Sequence, residues 1–115
     1  MFTKITYTKD AMLYVKAKGK LDIYNAPDYL EEIKERLGTY VKELVLEFSE
    51  ITFVASIGLR AILELHKITQ GKGSKLKLRN VNEEVLYAFK ITGFDSFLDI
   101  ENDPENRDLV FEEDS

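Results

Sequence analysis

The sequence predicts an α/β protein of a single domain, residues 1–115, whose mixed and mainly parallel β-sheet of four to five strands is packed with about four α-helices. Three observations favour this class. Segments with the two-residue apolar period of strands alternate with segments of helical period, which implies crossover connections. One internal run, KELVLEF, is apolar without alternation, as is typical of a strand covered on both faces. A length of 115 residues, 44% of them hydrophobic, is sufficient for one core.

The first half of the chain is predicted to contain two strands, one helix and the central strand of the sheet. Two alternating runs in MFTKITYTKDAMLYVKAKGKL indicate two strands joined by a turn, with Gly19 at the end of the second. Asn25 offers an N-cap, Pro27 falls in the first turn, and Gly38 follows the last apolar residue of an amphipathic helix. KELVLEF then forms the central strand.

The stretch FSEITFVASIGLRAILELHK joins this strand to a second helix, which we expect from about Ile57 to Gln70. Most of the circumference of this helix is apolar, and its single polar stripe is formed by Arg60, Glu64 and Lys67. The helix should therefore be largely buried.

The last part of the chain is predicted as strand, helix, strand and helix. KLKLR has leucines on one face and Lys75, Lys77 and Arg79 on the other, so the basic face should meet water. The segment NEEVLYAFKITG has an N-cap asparagine and a terminal glycine, and SFLDI follows it as a short strand. An acidic terminal helix or tail is expected over about 103–115.

Composition and charge exclude several classes of function. The chain has no cysteine, so it contains no disulfides, thiolate metal sites or thiol nucleophiles. The net charge of −5 resides in the acidic segment 99–115, and the rest is close to neutral, unlike a nucleic-acid-binding protein. No segment resembles a secretion signal or has the roughly 20 apolar residues of a membrane span. We therefore expect a soluble cytoplasmic protein that needs no metal and no cofactor.

Ser56 stands where the central strand meets the buried helix. A serine at this place usually accepts a hydrogen bond from a backbone N–H of the first turn, and replacing such a cap costs about 1 kcal/mol. The same helix end suits a phosphate esterified to the serine, because backbone donors and the helix dipole favour an anion there. Arg60 lies one turn further along the same face. Both roles remain open at the level of the sequence.

A catalytic role for Ser56 is not supported. VASIG has only half of the nucleophile elbow G-x-S-x-G, since Val54 replaces its first glycine. His66, the single histidine, lies further along the predicted helix by roughly 15 Å, which is beyond hydrogen-bond reach. The glycines of QGKGSK lack the spacing of a phosphate-binding loop and are predicted as a turn. We therefore expect a chain without enzymatic activity.

Three segments together resemble the STAS domain family, and in particular its anti-sigma-factor antagonists. They are GKLDIYNAPDYLEEIKERL, KELVLEFSEITFVASIGLRAILELHK and KLKLRNVNEEVLYAFKITGFDSFLDI, which cover most of the chain in the family's order. The resemblance implies a mixed sheet packed with helices. It also implies a module that sequesters an anti-sigma factor, which is itself a serine kinase of the histidine-kinase-like ATPase fold, and so frees a sigma factor. Phosphorylation by that kinase ends the binding, and a phosphatase restores it.

The resemblance also assigns site residues. It places the phosphoacceptor at Ser56, the acidic residue of the family's G-x-L-D loop at Asp22, and the helix-start glycine at Gly58. The chain departs from the family at Ala55, where an aspartate is typical, and at Ile57, where a small polar residue is common. The expected docking face for the partner consists of Asp22, Ile23, Tyr24, Ala55, Ile57, Gly58 and Arg60.

Two alternatives remain at this level. Because Ala55 removes a carboxylate beside the acceptor, the first is a STAS scaffold or interaction module that is not phosphorylated, in which Ser56 is only a cap. The second is a domain that binds a small ligand or a lipid, which requires a pocket that the sequence does not display. The expected oligomeric state is a monomer or a weak homodimer, and neither nucleic acid nor membrane is expected as a partner.

Overall fold

The computed structural model describes residues 1–8 and 10–102, and within them the predicted order of strands and helices is confirmed. The elements are β1 (Phe2–Tyr7), β2 (Met12–Leu21), α1 (Ala26–Arg36), β3 (Glu43–Val54), α2 (Ser56–Gly71), β4 (Lys75–Arg79), α3 (Glu83–Thr92), a 3-10 turn (Phe94–Ser96) and β5 (Asp99–Glu101). The described part of the chain thus has three α-helices, and the fourth helix predicted over 103–115 lies outside it. None of the described helices is both long and apolar enough to cross a membrane.

The five strands form one mixed sheet in the order β1-β2-β3-β4-β5. β1 and β2 are antiparallel, whereas β2, β3, β4 and β5 are parallel neighbours. β3 is central, as KELVLEF predicts, but it continues to Val54. The prediction that Gly19 ends β2 is wrong. Gly19 adopts a positive φ of 129° at an irregularity in the β2–β3 pairing, and the strand then resumes as far as Leu21.

The core lies between one face of the sheet and the three helices. Leu13 and Val15 of β2 stand opposite Leu44 and Leu46 of β3, and all four are fully buried, which confirms the predicted alternation. The buried side chains that the helices add to this cluster include Tyr29, Ile33, Ile62, Leu65 and Phe89. Burial of these apolar groups holds the helices against the sheet.

The opposite face of the sheet contains a buried polar group that the sequence patterns do not reveal. The prediction that Arg79 meets water is wrong, because only 4% of it is exposed. In the strand register Arg79 stands between Glu47 of β3 and Glu101 of β5. The buried Glu47 carboxylate accepts hydrogen bonds from Asn80 Nδ2 (3.1 and 3.2 Å) and from the Ser49 N–H (3.1 Å). Arg79 is buried because β4 lies inside the sheet, where each of its two neighbouring strands places an acid beside the arginine.

Of the two predicted asparagine caps, only Asn82 makes the capping hydrogen bond. Asn82 caps α3, since its Oδ1 accepts the Val85 N–H at 2.8 Å, and its Nδ2 donates to the Ile51 carbonyl of β3 at 2.8 Å. Asn25 occupies the N-cap position of α1, but its side chain makes no capping bond and donates instead to the Lys20 carbonyl. The starts of α1 and α3 are therefore held by different hydrogen bonds, and only the N-cap side chain of α3 also bonds the central strand.

Candidate functional site

Ser56 lies at the end of the sheet where the parallel strands β2 and β3 finish. The last residues of these strands, Leu21 and Val54, are register partners, and the chain passes from each of them into a helix. The Ala55 N–H donates to the Leu21 carbonyl at 2.9 Å, which ties the start of α2 to the end of β2. The β2–α1 loop and the first turn of α2 are therefore neighbours, as expected at the carboxyl ends of parallel strands.

Ser56 is the first residue of α2 and is exposed. The N-cap is Ala55, which has an extended backbone (φ −81°, ψ 174°) and whose carbonyl accepts the Leu59 N–H at 3.0 Å. The helix therefore begins one residue before the predicted Ile57, and the interpretation of Ser56 as the N-cap is wrong. Ala55 has no side-chain oxygen that could cap the first turn. The serine is consequently a surface residue of the helix, with no capping duty.

Gly58 allows the close approach of α2 to the sheet. It is buried, and a Cβ atom placed on it would lie 2.5 Å from the Leu21 carbonyl oxygen and 2.9 Å from Cγ1 of Val54. A larger residue would fit only if the backbone moved. The structure thus accounts for a glycine at the position that the family resemblance indicates, while the assignment of Gly58 to the docking face stays a prediction.

The β2–α1 loop presents two large apolar side chains at the same end of the sheet. Asp22 Oδ1 accepts the backbone N–H groups of Tyr24 and Asn25, both at 3.1 Å, and the Asp22 carbonyl accepts the Ala26 N–H at 2.9 Å. One carboxylate oxygen is thereby used to shape the loop. Ile23 and Tyr24 are left 66% and 83% exposed. Exposed apolar groups of this size on a shaped loop are typical of a protein-binding surface.

A shallow groove of about 210 Å³ runs between α1 and α2 beside this end. Its lining consists of Ala26, Pro27, Leu30, Glu31, Ile57, Arg60, Ala61 and Glu64. Lys34 pairs with Glu31 at 3.5 Å and with Glu64 at 3.8 Å. Arg60 is exposed and forms no salt bridge with any residue that the structure describes. Its guanidinium group therefore faces the surface next to the first turn of α2.

Sequence reasoning misses a second apolar group at the same end. Phe53 is 49% exposed near the end of β3. Together with Thr52, Val54, Glu84, Val85 and Ala88 it lines a groove of about 180 Å³ between β3 and α3. The available signal is an aromatic residue three positions before Ser56, near the end of the central strand, but no sequence pattern indicates that its side chain is exposed.

The structure brings all seven predicted docking residues to two segments, the β2–α1 loop and the start of α2. Six of them are exposed or half-buried, and Gly58 is the buried one.

The imidazole of His66 contacts the ring of Phe97 with centroids 4.7 Å apart. Within residues 1–8 and 10–102, no group of three or more His, Cys, Asp or Glu side chains is arranged to hold a metal ion. This end of the sheet carries an exposed serine, exposed apolar groups and an exposed arginine.

Comparison with known proteins agrees with this architecture. The family model described as the STAS domain matches residues 3–106. A curated relative, the anti-sigma-B factor antagonist of Bacillus subtilis, is 28% identical over 88 residues, which are 76% of this chain and 80% of the relative. The residues matched by the family model include the strands and helices that form the site.

Two solved structures share the fold. One is an anti-sigma factor antagonist from Mycobacterium paratuberculosis, with a TM-score of 0.79 and 18% identity over 96% of this chain and 93% of the other. The second is the Bacillus cell fate determinant SpoIIAA in its phosphorylated form, with a TM-score of 0.69 and 15% identity over 95% and 99% of the two chains. The five-stranded mixed sheet, the order of its elements and the match over residues 3–106 lead to one conclusion: the chain belongs to the STAS domain family.

Proposed function

We propose that the chain is an anti-sigma factor antagonist, a binding module without catalysis of its own that is switched by phosphorylation of Ser56. The observation that carries the proposal is the exposure of Ser56 at the first residue of α2, at the end of the sheet where Ile23, Tyr24 and Phe53 are also exposed. The relative from Bacillus subtilis is named an anti-sigma-B factor antagonist. SpoIIAA, which shares the fold, has been solved in a phosphorylated form.

In the unmodified state, a partner can cover the Ser56 hydroxyl at small cost because the group is uncharged. The proposed partner is an anti-sigma factor that is also a serine kinase of the histidine-kinase-like ATPase fold, and its sequestration frees a sigma factor. The kinase transfers the γ-phosphoryl group of ATP to Ser56 Oγ, the hydroxyl proton is released, and ADP leaves. A phosphatase reverses the modification by hydrolysis. Because the proposed kinase uses ATP, we infer a cytoplasmic location for the switch.

Phosphorylation ends the binding by electrostatics, with no change of fold. The phosphate adds roughly 1.5 to 2 negative charges at neutral pH, and their desolvation against a partner is costly. Asp22 and Glu84, at the same end of the sheet, add repulsion to any acidic partner surface that remains. A difference of about 3 kcal/mol between the two states changes the affinity more than a hundredfold.

Ala55 determines what the kinase has to supply. Its backbone is engaged on both sides, by the Leu21 carbonyl and by the Leu59 N–H, and its side chain is a methyl group. Because the chain has no carboxylate at this position, Ala55 offers no base for the Ser56 proton, and we expect the kinase to supply it. The same observation favours a second candidate function, an interaction module of the STAS family that is never phosphorylated.

Replacing Ser56 with aspartate tests the switch. We expect Ser56→Asp to weaken binding to the cognate anti-sigma factor by roughly a factor of ten or more, with an unchanged melting temperature. Ser56→Ala should bind like the wild type, and isothermal titration calorimetry measures both affinities. Ser96→Asp is the matched control, because Ser96 is also exposed but precedes β5 at the opposite end of the sheet. An unchanged affinity for Ser56→Asp would contradict the switch.

Mass spectrometry of the chain from its native cell separates the two candidate functions. The switch requires an adduct of about 80 Da that maps to Ser56. If Ser56 carries no phosphate under any growth condition and Ser56→Asp binds like the wild type, the unphosphorylated interaction module is the better description.

A further inference from the structure

We propose that Arg60 binds the phosphate group of phosphorylated Ser56, so that the modification withdraws a cation from the docking surface while it adds negative charge. This inference rests on the proposed function, in which Ser56 carries the phosphate. Ser56 and Arg60 are the first and fifth residues of α2. Side chains four positions apart on a helix are neighbours on one face, with Cβ atoms about 6 Å apart. Both residues are exposed, so a phosphate and a guanidinium group can meet there.

The charged groups that face Arg60 leave it available to a phosphate. Glu64 follows one turn later on α2, and Glu31 lines the same groove from α1, but both of them pair with Lys34, at 3.8 and 3.5 Å. Neither lies within salt-bridge distance of Arg60 in the part of the chain that the structure describes. Asp22 uses one carboxylate oxygen to bind the backbone of its own loop. The first turn of α2 itself has no acidic residue.

A phosphate is also a better acceptor for arginine than these carboxylates. It offers three oxygens and up to two charges, and a guanidinium group can bind it through two parallel hydrogen bonds. The helix dipole favours an anion at the first residue of α2, although this effect alone would not specify a site. Asp28 is exposed in the first turn of α1, where water and salt screen it.

The pair gives the switch two simultaneous effects. In the unmodified chain the Arg60 guanidinium can contact an acidic or carbonyl group of the partner. In the phosphorylated chain it turns back over the first turn of α2 and occupies the phosphate oxygens. The partner thereby loses a cationic contact at the moment when it meets a new anion. Because Arg60 binds the dianion more strongly than the monoanion, the second pKa of the phosphoserine should lie below its ordinary value of about 6.

The second ionisation of the phosphate tests the pair. Phosphoserine is installed at position 56 by genetic code expansion, and its phosphorus-31 chemical shift is followed between about pH 4 and pH 8. We expect Arg60→Gln to raise the pKa by about half a unit, and Arg60→Lys to raise it by less, because lysine keeps the charge without the bidentate geometry. Lys67→Gln is the matched control, since Lys67 is exposed on the same helix about two turns further on. Equal pKa values for the wild type and Arg60→Gln would overturn the proposal.

This measurement needs no kinase, so its failure can be distinguished from the failure of the proposed function. If native Ser56 carries no phosphate, the proposed function fails, while the titration still reports whether Arg60 binds an installed phosphate. If native Ser56 is phosphorylated and Arg60→Gln leaves the pKa unchanged, the switch stands and the Arg60 pair is wrong. Arg60 is exposed, so its variants should keep the wild-type melting temperature, which shows that any change in pKa is local.

Discussion

At the scale of single residues, two hydroxyl groups show how environment decides what a side chain can do. Ser56 lies at the surface, where a hydroxyl can be modified or covered by a partner. Tyr29 of α1 is 1% exposed, and its hydroxyl has no hydrogen-bond partner among the described residues. A buried hydroxyl without a partner loses its hydration and gains no hydrogen bond in exchange. Tyr29 therefore contributes to the core through its ring and opposes folding through its hydroxyl.

Tyr29→Phe is expected to raise the free energy of unfolding by about 1 kcal/mol at neutral pH, because it removes an unpaired buried polar group and keeps the ring. Urea unfolding measures the difference. Tyr24→Phe is the control, since Tyr24 is exposed and its variant should match the wild type. A less stable Tyr29→Phe protein would show that the hydroxyl is satisfied after all.

Tyr29→Phe should also change how the stability of the protein depends on alkaline pH. Burial raises the pKa of Tyr29, and a hydrogen bond to Glu101 is the main cause that raises the pKa of Lys77. When folding raises the pKa of a group, the unfolded chain releases the proton first, here at about pH 10, so the free energy of unfolding falls as the pH rises from there through the folded pKa. The wild type should therefore lose stability above about pH 10, and Tyr29→Phe should lose less of it.

At the scale of elements, the position of α2 depends on how closely its first turn approaches β2. A Cβ atom on Gly58 would overlap the Leu21 carbonyl, whereas a Cβ atom on Gly71, the last residue of the same helix, would meet nothing within 4 Å. The close contact between α2 and β2 therefore requires a glycine at position 58, whereas no contact requires one at position 71. The helix thus offers a matched pair of positions for testing the packing that presents Ser56.

Gly58→Ala should lower the free energy of unfolding by about 2 to 3 kcal/mol, because the added methyl group displaces the first turn of α2 from the strand end. Gly71→Ala should be neutral or stabilising by up to about 1 kcal/mol, since alanine is favoured over glycine in a helix. Thermal unfolding of both variants measures the contrast. A Gly58→Ala protein as stable as the wild type would mean that the close approach of α2 to β2 is not needed.

At the scale of the whole molecule, the parallel pairing of β2 and β3 separates two ends of different character. One end carries Ser56 and the β2–α1 loop. The other carries the α1–β3 connection, where Tyr40 is 61% exposed and its ring packs on that of Tyr7 with centroids 5.9 Å apart. Both ends expose a tyrosine, so tyrosine exposure alone does not locate the docking surface. Replacing the exposed tyrosine at each end in turn can locate it.

Tyr24→Ala should lower the affinity for the anti-sigma factor by roughly tenfold or more, because an exposed aromatic ring near the centre of an interface contributes much of its energy. Tyr40→Ala should leave the affinity unchanged. Surface plasmon resonance with the immobilised anti-sigma factor measures both variants, and circular dichroism checks their folding. The opposite result would move the docking surface to the α1–β3 end.

The parts of the fold that were predictable from the sequence are those specified by near neighbours along the chain. The apolar period predicts β2, α2 and β3, and the asparagine that caps α3 is read from its place before two glutamates. The burial of Arg79 and the continuation of β2 past Gly19 could not be predicted in this way. The burial of Arg79 depends on acids of two flanking strands, and the course of the chain at Gly19 depends on its pairing with β3. Asn25 fails as a cap because its amide reaches Lys20 instead.

By itself, the sequence determined the succession of strands and helices, the resemblance to the STAS family and the position of a serine between β3 and α2. Only the tertiary structure decided that Ala55 is the cap and Ser56 a surface residue, and that Phe53 joins the end of the sheet that carries the β2–α1 loop. The physical reason is that these features follow from the pairing of Leu21 with Val54. Contacts between residues so distant in the chain leave no local pattern to read.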